Sequence, residues 1–338
     1  MRKIMDVAWT PNRGWIENAN ISRLMGRLGF PLDESRPAEA WERARAFIRA
    51  TQDDPPWFWA AAFEEIGMRW TRPYETVLET PRGNPWAEWF RGGETNIVLN
   101  CIDRHLEGER ADSVALIAET EEGEARRFTY REMARDVGRT ANALRSLGVS
   151  RGDCVACYMP MVAEVVFAML ATQKIGAIFI PIFSGYAAPA VRERLEDAEV
   201  KVLFTADGAL RRGRAFPLKE QADRAVDGLP ALAHQVVVRR LGEAIEAPMR
   251  SGRDLWWDEL VASQGDDCPT ESMGAMEPAL MIYTSGTTGK PKGTVHSHAG
   301  CLAQMAKEIR YNFDLKDTDL FWWFSDIGWM MGPWEIVG

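Results

Sequence analysis

The sequence predicts an α/β fold in which mostly parallel β-sheets are flanked by helices. Three observations lead to this prediction. From about residue 112, short apolar segments alternate with amphipathic helical segments, which is the pattern of repeated strand–helix–strand units. Residues 279–283 form an apolar run typical of a buried strand. That run leads into a loop of glycine, hydroxyl and lysine residues, and ligand loops in such sheets follow the carboxyl ends of strands.

Residues 1–110 are expected to form a separate, largely helical extension. Charged helical stretches such as 37–50 alternate with proline-containing turns such as 54–56. The segment is also rich in tryptophan, at positions 9, 15, 41, 57, 59, 70, 86 and 89. Tryptophans can form platforms for carbohydrate or peptide, but we favour anchors that pin a helical wrap onto a larger domain.

The elements of the following domain are predicted from periodicity and from helix caps. Thr129-Tyr-Arg-Glu132 has the sequence of a capping box, and Gly148 is expected to end the helix that it starts. Two more helices are predicted at about 162–175 and 189–197. The predicted strands are 114–117, 153–159, 177–182, 201–205, 235–238, 279–283 and 320–324.

Composition narrows the classes of protein to which this chain can belong. Its 338 residues are enough for two or three domains, and the net charge of −9 argues against a nucleic-acid surface. The N-terminus has no apolar signal core. Charged and polar residues interrupt the longest apolar region, 162–183, so we predict no membrane span. Five cysteines without a disulfide pattern indicate the cytoplasm.

The loop after residues 279–283 has the composition of a polyphosphate site. Glycines let its backbone turn tightly and bring N–H groups close to an anion. Its hydroxyl groups can donate hydrogen bonds, and its two lysines supply positive charge. The order of residues is not that of a Walker A motif, because Pro291 follows Lys290. A flexible surface loop is the alternative. The candidate ATP-binding residues are Thr284, Ser285, Gly286, Thr287, Thr288, Gly289, Lys290 and Lys292.

The string from Tyr283 to Gly293 resembles the signature phosphate loop of the adenylate-forming enzymes, which include acyl-CoA synthetases, luciferases and peptide-synthetase adenylation domains. The resemblance implies a loop that binds the phosphates of ATP, with its Mg²⁺, while a carboxylate attacks the α-phosphorus and pyrophosphate leaves. It also implies that Lys290 and Thr287 are catalytic, since they would stabilise the charge that develops on the phosphoryl oxygens.

The N-terminal segment resembles the extension of the acetyl-CoA synthetase branch of this superfamily. Trp89-Phe90, Thr95-Asn96-Ile97 and the stretch from Asn100 to Leu106 carry the resemblance. It implies an extension over 1–110 and the first part of an adenylation domain over 111–338. A Thr-Glu pair, a ribose-binding aspartate and a C-terminal catalytic lysine are expected beyond Gly338, so the chain alone is expected to be inactive.

Arg211, Arg212, Gly213 and Arg214 form a second candidate site, placed before a Pro-Leu-Lys helix. Exposed arginines before a helix are commonplace, but a guanidinium group fits phosphate well. The turn resembles the one at which acetyl-CoA synthetases bind the nucleotide end of coenzyme A. Arg212 replaces the small residue usual there.

The third candidate is the aromatic run from Phe324 to Trp334. Such runs are most often core. The string Asp326-Ile-Gly-Trp329, however, resembles the wall of the acyl pocket in acetyl-CoA synthetases, which makes Trp329, Met330 and Met331 pocket candidates. The Met-Met pair is closer to acetoacetyl-CoA synthetases and some plant acyl-activating enzymes, which argues against a simple assignment of acetate.

Two further patterns are interpreted as structural. Cys154 and Cys157 lie in a predicted strand, where residues three apart point to opposite faces. His296 and His298 flank Ser297 without an evident third metal ligand, so no metal site is predicted.

Together the resemblances imply an AMP-forming acyl-CoA synthetase that uses a short- or medium-chain carboxylic acid, ATP and coenzyme A. One alternative is an acyl-AMP ligase that loads a carrier protein, which would not need the arginine turn. Another is a non-catalytic nucleotide-binding module.

Overall fold

The computed structural model describes residues 12–33, 35–286 and 289–338. The helices of this part are α1 (Arg13–Asn18), α2 (Asn20–Arg27), α3 (Pro37–Asp53), α4 (Pro55–Ile66), α5 (Ile97–Cys101), α6 (Tyr130–Ser146), α7 (Ala163–Lys174), α8 (Ala188–Asp197), α9 (Leu218–Val226), α10 (Trp257–Ala262), α11 (His298–Lys307) and α12 (Met331–Val337). The strands are β1 (Thr76–Glu79), β2 (Glu88–Arg91), β3 (Glu94–Thr95), β4 (Val114–Glu119), β5 (Ala125–Thr129), β6 (Cys154–Tyr158), β7 (Ile178–Pro181), β8 (Val202–Ala206), β9 (Ala209–Arg211), β10 (Arg214–Phe216), β11 (His234–Val238), β12 (Asp254–Trp256), β13 (Met273–Gly274), β14 (Pro278–Thr284) and β15 (Lys292–Ser297).

A seven-stranded sheet forms the centre of the molecule, in the order β12-β11-β8-β6-β7-β14-β15. Neighbours from β12 to β14 pair in parallel, and β15 at the edge pairs antiparallel with β14. Strands β6, β7, β8 and β11 are buried along almost their whole length. Strands buried on both faces need continuous apolar sequences rather than alternating ones. The predicted α/β fold with a mostly parallel sheet is confirmed.

The helices between the strands cover the sheet. The chain steps from β6 to β7 in one direction and from β7 to β8 in the other, so right-handed crossovers place α7 and α8 on opposite faces. Helix α6 begins with the predicted capping box, in which the Thr129 side chain accepts from the Glu132 N–H and Glu132 accepts from the Thr129 N–H. Helix α7 is buried on almost every side, which explains why its sequence is apolar all round. Within the described residues, no helix is both long and apolar enough to cross a membrane.

The strand predicted for residues 320–324 is wrong. These residues pair with no strand in the part of the chain that the structure describes. Leu320, Trp322 and Phe324 are 79%, 78% and 87% exposed, whereas Phe321 and Trp323 pack against Trp334. The period-two alternation of a strand is therefore present, but a strand also needs a hydrogen-bonded neighbour, which local sequence cannot supply. The turn predicted at 54–56 is likewise the junction of two helices, since Asp54 caps α4.

Aromatic side chains join the N-terminal segment to the rest of the chain. Trp59, Trp70 and Trp89 pack with Phe63 and Phe90, whose rings stack at 4.6 Å, and this cluster contacts alanines of α11. Trp57 belongs to a second cluster around Phe47. These tryptophans are packing anchors, as expected. Exposed Trp41 and Trp86 each stack with an arginine instead, and Trp9 lies outside the described residues.

Candidate functional site

The parallel strands all end on one side of the sheet. Three of the segments that follow these strands in the sequence lie on that side. Strand β14 is followed by the loop 285–291, β7 by residues 182–187, and β8 by the hairpin of β9 and β10. Because parallel strands end at the same edge, the phosphate-loop and arginine-turn candidates share one side of the molecule.

The loop 285–291 closes the β14–β15 hairpin. Tyr283 pairs with Gly293 and Thr284 pairs with Lys292 across the two strands. The loop folds back so closely that a Cβ added at Gly286 would lie 2.2 Å from the Lys290 carbonyl oxygen, so only glycine fits there. Gly289 has a φ of 90°, a value that residues with side chains avoid.

The described polar side chains at this loop and its two flanking strand ends face solvent. Thr284, Ser285, Lys290 and Lys292 are exposed. Within residues 12–33, 35–286 and 289–338, neither lysine has a carboxylate within ion-pair distance. Two unpaired cations beside free hydroxyl groups can therefore receive an anion. Thr287 and Thr288 lie outside the described residues.

Beneath the start of the loop lies a buried cation that sequence analysis missed. The Arg194 guanidinium sits 4.4 Å from the centre of the Tyr186 ring and 5.7 Å from that of Tyr283, and the residue is only 6% exposed. It donates a hydrogen bond to the Ala190 carbonyl at 2.6 Å. Within the described residues it has no carboxylate partner, so its positive charge is compensated mainly by the two π faces. An arginine on the buried face of α8, between Val191 and Leu195, is the sequence signal that could have found it.

Tyr283 links this cation to the strand that carries the loop. Its hydroxyl donates to Asp197 Oδ2 at 2.6 Å. Burial, together with this bond to Asp197, raises the pKa of the Tyr283 hydroxyl well above its usual range. The tyrosine therefore stays neutral and fixes β14 to α8, which sets the position at which the loop begins.

The arginine-rich turn is a tight β-hairpin. Arg211 pairs with Arg214, and the two turn residues, Arg212 and Gly213, have φ values of 52° and 72°. Positive φ at both positions is the requirement of a type I′ turn, which matches the twist of the strands. Arg212, Gly213 and Arg214 are exposed. Arg211 is partly buried, with its guanidinium 4.5 Å from the centre of the Phe216 ring and bonded to the Ser184 carbonyl.

Residues 324–334, here called the Trp329 segment, pack against the residues that follow β7. The rings of Phe183 and Trp329 lie 5.6 Å apart, and a Cβ added at Gly328 would lie 2.1 Å from the Phe183 nitrogen. Trp329 and Met330 are 55% and 36% exposed, while Met331 begins α12 and is partly buried against the core. Two of the three predicted pocket residues therefore present apolar surface that a ligand could cover.

Residues 183–186 join two of the candidates that the sequence had left separate. Ser184 contacts Arg211 of the hairpin through its carbonyl, and Asp326 of the Trp329 segment through its hydroxyl at 2.6 Å. Sequence analysis did not single out this segment because it carries no charged group and no recognisable motif.

The cysteine and histidine pairs have no catalytic geometry. Burial raises the pKa of the Cys154 thiol to about 11 and that of Cys157 well above its usual value, so neither is a ready nucleophile. Burial lowers the pKa of His298 to about 4, and its Nδ1 accepts from the Ile97 N–H at 3.3 Å. No group of three possible metal-ligating side chains is present among the described residues.

A surface cavity of about 570 Å³ lies beside the C-terminal end of helix α7, away from the loop 285–291. Lys174 and Asp103 line it and pair with each other at 3.3 Å, and Lys174 also contacts Thr270. Its charged groups are already paired or of mixed sign, so it lacks the convergent polar groups of a ligand site.

Comparisons with known proteins bear on both ends of the chain. A family model described as AMP-binding enzyme matches residues 102–338, and one described as acetyl-coenzyme A synthetase N-terminus matches residues 44–101. An acetyl-coenzyme A synthetase of Gemmatimonas aurantiaca is 45% identical over 91% of this chain and 47% of that protein. Acetyl-coenzyme A synthetase 2 of Pseudomonas putida is 40% identical over 88% of this chain and 45% of that protein.

The similarity extends to a solved structure. The acetoacetyl-CoA synthetase from Streptomyces lividans superimposes with a TM-score of 0.86 and 31% identity, over 97% of this chain and 49% of that one. The chain therefore spans about half the length of the relatives it matches, at 47% and 45% of the two synthetases from Gemmatimonas and Pseudomonas.

Proposed function

This chain belongs to the AMP-binding enzyme family, and from that premise we propose that the whole protein is an AMP-forming acyl-CoA synthetase. In the first step, a carboxylate oxygen attacks the α-phosphorus of ATP, giving an acyl-adenylate and pyrophosphate. In the second, the sulfur of coenzyme A bonds to the acyl carbon, AMP leaves and the thiol proton is released. We propose a short- or medium-chain acid, because the acetyl- and acetoacetyl-CoA synthetases that this chain resembles act on acids of that size by name.

The observation that carries this proposal is the loop 285–291. It lies at the carboxyl edge of the sheet, it needs glycine at 286 to fold, and it presents Lys290 and Lys292 without carboxylate partners in the described chain. Negative charge develops on the phosphoryl oxygens during adenylation, and fixed donors aimed at it stabilise the transition state. We assign this role to Lys290 and Thr287, and phosphate binding to the other loop residues.

Mg²⁺ would accompany ATP as part of the substrate. The described residues include no group of three acidic or histidine side chains suited to hold the ion, although the Thr284 and Ser285 hydroxyls could contact it. No step is therefore assigned to Mg²⁺ on this part of the protein.

We propose that the two exposed arginines of the hairpin, Arg212 and Arg214, bind the nucleotide end of coenzyme A, with Arg211 behind them. Arg212 lies on the two-residue turn and Arg214 begins the following strand, and both are exposed. Guanidinium groups form strong hydrogen bonds with phosphate. A ligase that loads a carrier protein would have no need of such a pair. Trp329 and Met330 would contact the acyl group, with Met331 behind them.

Two structural proposals accompany this function. Residues 1–110 would form the extension and 111–338 the first part of the adenylation domain, a division close to the boundary between the two matched families at residues 101 and 102. All five cysteines are free, which supports a reducing compartment such as the cytoplasm.

Carboxylate-dependent exchange of labelled pyrophosphate into ATP tests the first half-reaction in the whole protein. A panel of acids from acetate to hexanoate, and acetoacetate, should reveal at least one that supports exchange. Thioester formation should then require coenzyme A. Exchange that is not followed by thioester formation with coenzyme A would favour the carrier-loading ligase, and no exchange with any acid would favour the non-catalytic module.

A further inference from the structure

Arg211 differs from the other arginines of the hairpin because its guanidinium already contacts two groups of the protein. It lies over the Phe216 ring, 4.5 Å from the ring centre, and donates a hydrogen bond to the Ser184 carbonyl. Arg212 and Arg214 are exposed and contact no carboxylate in the described residues. Arg211 therefore holds the hairpin to residues 183–186, and the other two arginines remain open to a ligand.

Ser184 carries the connection onward to Asp326. The Ser184 hydroxyl donates to Asp326 Oδ2 at 2.6 Å, and the Ser184 N–H approaches Oδ1 at 3.4 Å. Asp326 also accepts from the Gly328 N–H at 2.8 Å through Oδ1, while its carbonyl accepts from the Trp329 N–H at 3.0 Å. The carboxylate of Asp326 thus holds the Gly328 N–H, and its backbone carbonyl holds the Trp329 N–H, within one turn.

Close packing makes this connection stiff. Gly328 lies against the backbone of Ile182 and Phe183 with no room for a Cβ, and the Phe183 ring fills the space between Tyr186 and Trp329. Tyr158 closes the other side by donating to the Tyr186 carbonyl at 2.7 Å. Because the Gly328 position lies directly against the Phe183 backbone, we expect a shift at Ser184 to move the turn that carries Trp329.

We propose that Arg211, Ser184 and Asp326 form a chain of positioning residues that ties the arginine hairpin to the Trp329 segment. The hairpin that would bind coenzyme A and the Trp329 segment that would contact the acyl group then move together. Arg211 connects the two through Ser184. This proposal rests on the proposed function for its two ligands, but the chain of contacts can be tested without any ligand.

Hydrogen–deuterium exchange on the whole protein, measured without any ligand, tests the contacts themselves. Arg211→Leu and Ser184→Ala should each speed exchange of the Gly328 and Trp329 amides by about tenfold, the factor expected when one charge-assisted hydrogen bond is lost. Arg214→Leu and Ser325→Ala are the matched controls and should leave those amides unchanged. Asp326→Asn keeps an acceptor for the Gly328 N–H and a donor for Ser184, so it should retain most of the protection.

Steady-state kinetics of the whole protein test the consequence. Arg211→Leu and Ser184→Ala should raise KM for both the carboxylic acid and coenzyme A, by about tenfold each, with KM for ATP unchanged. Arg214→Leu should raise KM for coenzyme A alone. A general loosening of the fold would raise all three constants together.

The outcomes separate this inference from the function on which it rests. Unchanged Gly328 and Trp329 exchange in Arg211→Leu would overturn the positioning chain, as would a rise in the coenzyme A constant alone, which would make Arg211 a direct phosphate ligand. A wild-type protein that activates no acid would overturn the proposed function, and the exchange measurement would still decide the role of Arg211.

Discussion

The arginine hairpin and Lys219 are close in sequence, yet the structure treats their charges in opposite ways. Arg212 and Arg214 face solvent on a tight turn without a carboxylate partner in the described residues. The Lys219 side chain is 1% exposed, and its amine contacts Asp223 at 2.7 Å, Asp254 at 2.8 Å and the Pro248 carbonyl at 3.2 Å. Arg253 completes this buried cluster by contacting both aspartates.

The difference shows how charge in this protein divides between stability and binding. A buried cation that contacts two carboxylates has no free donor for a ligand. Removing it destabilises the fold, because its carboxylate partners lose their compensating charge. A cation held on a rigid turn without a partner contributes little to stability and is free to bind an anion. Composition alone would count all of these residues as one basic stretch before and within α9.

Lys219→Met should cause the largest loss of stability. It leaves Asp254, whose side chain is fully buried, with Arg253 as its remaining ionic partner. The free energy of unfolding should fall by about 3–5 kcal/mol, as when one partner of a buried ion pair is removed. Urea denaturation measures it. Lys201→Met is the control, because the Lys201 side chain is 45% exposed in its pair with Asp153 and should cost only about 0–1 kcal/mol. Equal losses in both variants would contradict the comparison.

Lys290→Ala should show the opposite behaviour. Its amine is exposed and unpaired in the described chain, so stability should not change, but loss of one donor to developing charge should slow adenylation about 10²–10³-fold. Thr287→Ala should act in the same direction. ATP–pyrophosphate exchange in the whole protein is the measurement. Thr294→Ala is the control, because Thr294 is an exposed residue of β15 outside the loop. This variant should catalyse ATP–pyrophosphate exchange at the wild-type rate. Normal exchange in both loop variants would remove the assignment of this loop.

Arg212→Ala and Arg214→Ala should each raise KM for coenzyme A by roughly ten- to a hundredfold, the factor that corresponds to one charge-assisted hydrogen bond. Pyrophosphate exchange and stability should stay near wild type. Added salt should weaken coenzyme A binding more in the wild type than in the variants, because the lost contacts are ionic.

Dephospho-coenzyme A is a useful control for these variants, since it lacks the ribose 3′-phosphate that we expect the hairpin to bind. An unchanged constant for coenzyme A in both arginine variants would return the hairpin to the class of solvated turns. It would also remove the main argument against a carrier-loading ligase.

The smallest expected effect is a change in pH dependence. Burial alone would raise the pKa of Asp254, but hydrogen bonds from Arg253 and Lys219 outweigh it and hold the pKa below the usual 3.8. The carboxylate therefore adds stability that is complete above pH 3.8 and is lost as pH falls through the lower folded pKa. Asp254→Asn should flatten the fall in unfolding free energy over that acidic range. An equal slope in variant and wild type would show that other carboxylates dominate acid unfolding.

The sequence by itself determined the elements that depend on local pattern. The capping box at Thr129, the apolar helices α6 and α7, and the central strands β6, β7, β8, β11 and β14 follow from the spacing of apolar and capping residues. The outer strands β12 and β15 were not predicted. The glycine at 286 and the exposed lysines of the loop could also be assigned from sequence, since glycine and charge have direct local consequences.

Only the tertiary structure decided which polar groups meet. Ser184 and Asp326 are 142 positions apart, and Tyr283 and Asp197 are 86 apart, so no periodicity connects them. The same reason explains the wrong strand prediction for residues 320–324. Their side chains alternate in exposure as in a strand, but the described structure provides no neighbouring strand to pair with them. Burial follows from a residue's own character and spacing, whereas a hydrogen bond or ion pair needs a second group that the fold brings from far along the chain. For this reason the sequence could not show that Arg211 bonds the Ser184 carbonyl, whereas Lys219 is buried against Asp254. Only the structure identified these partners.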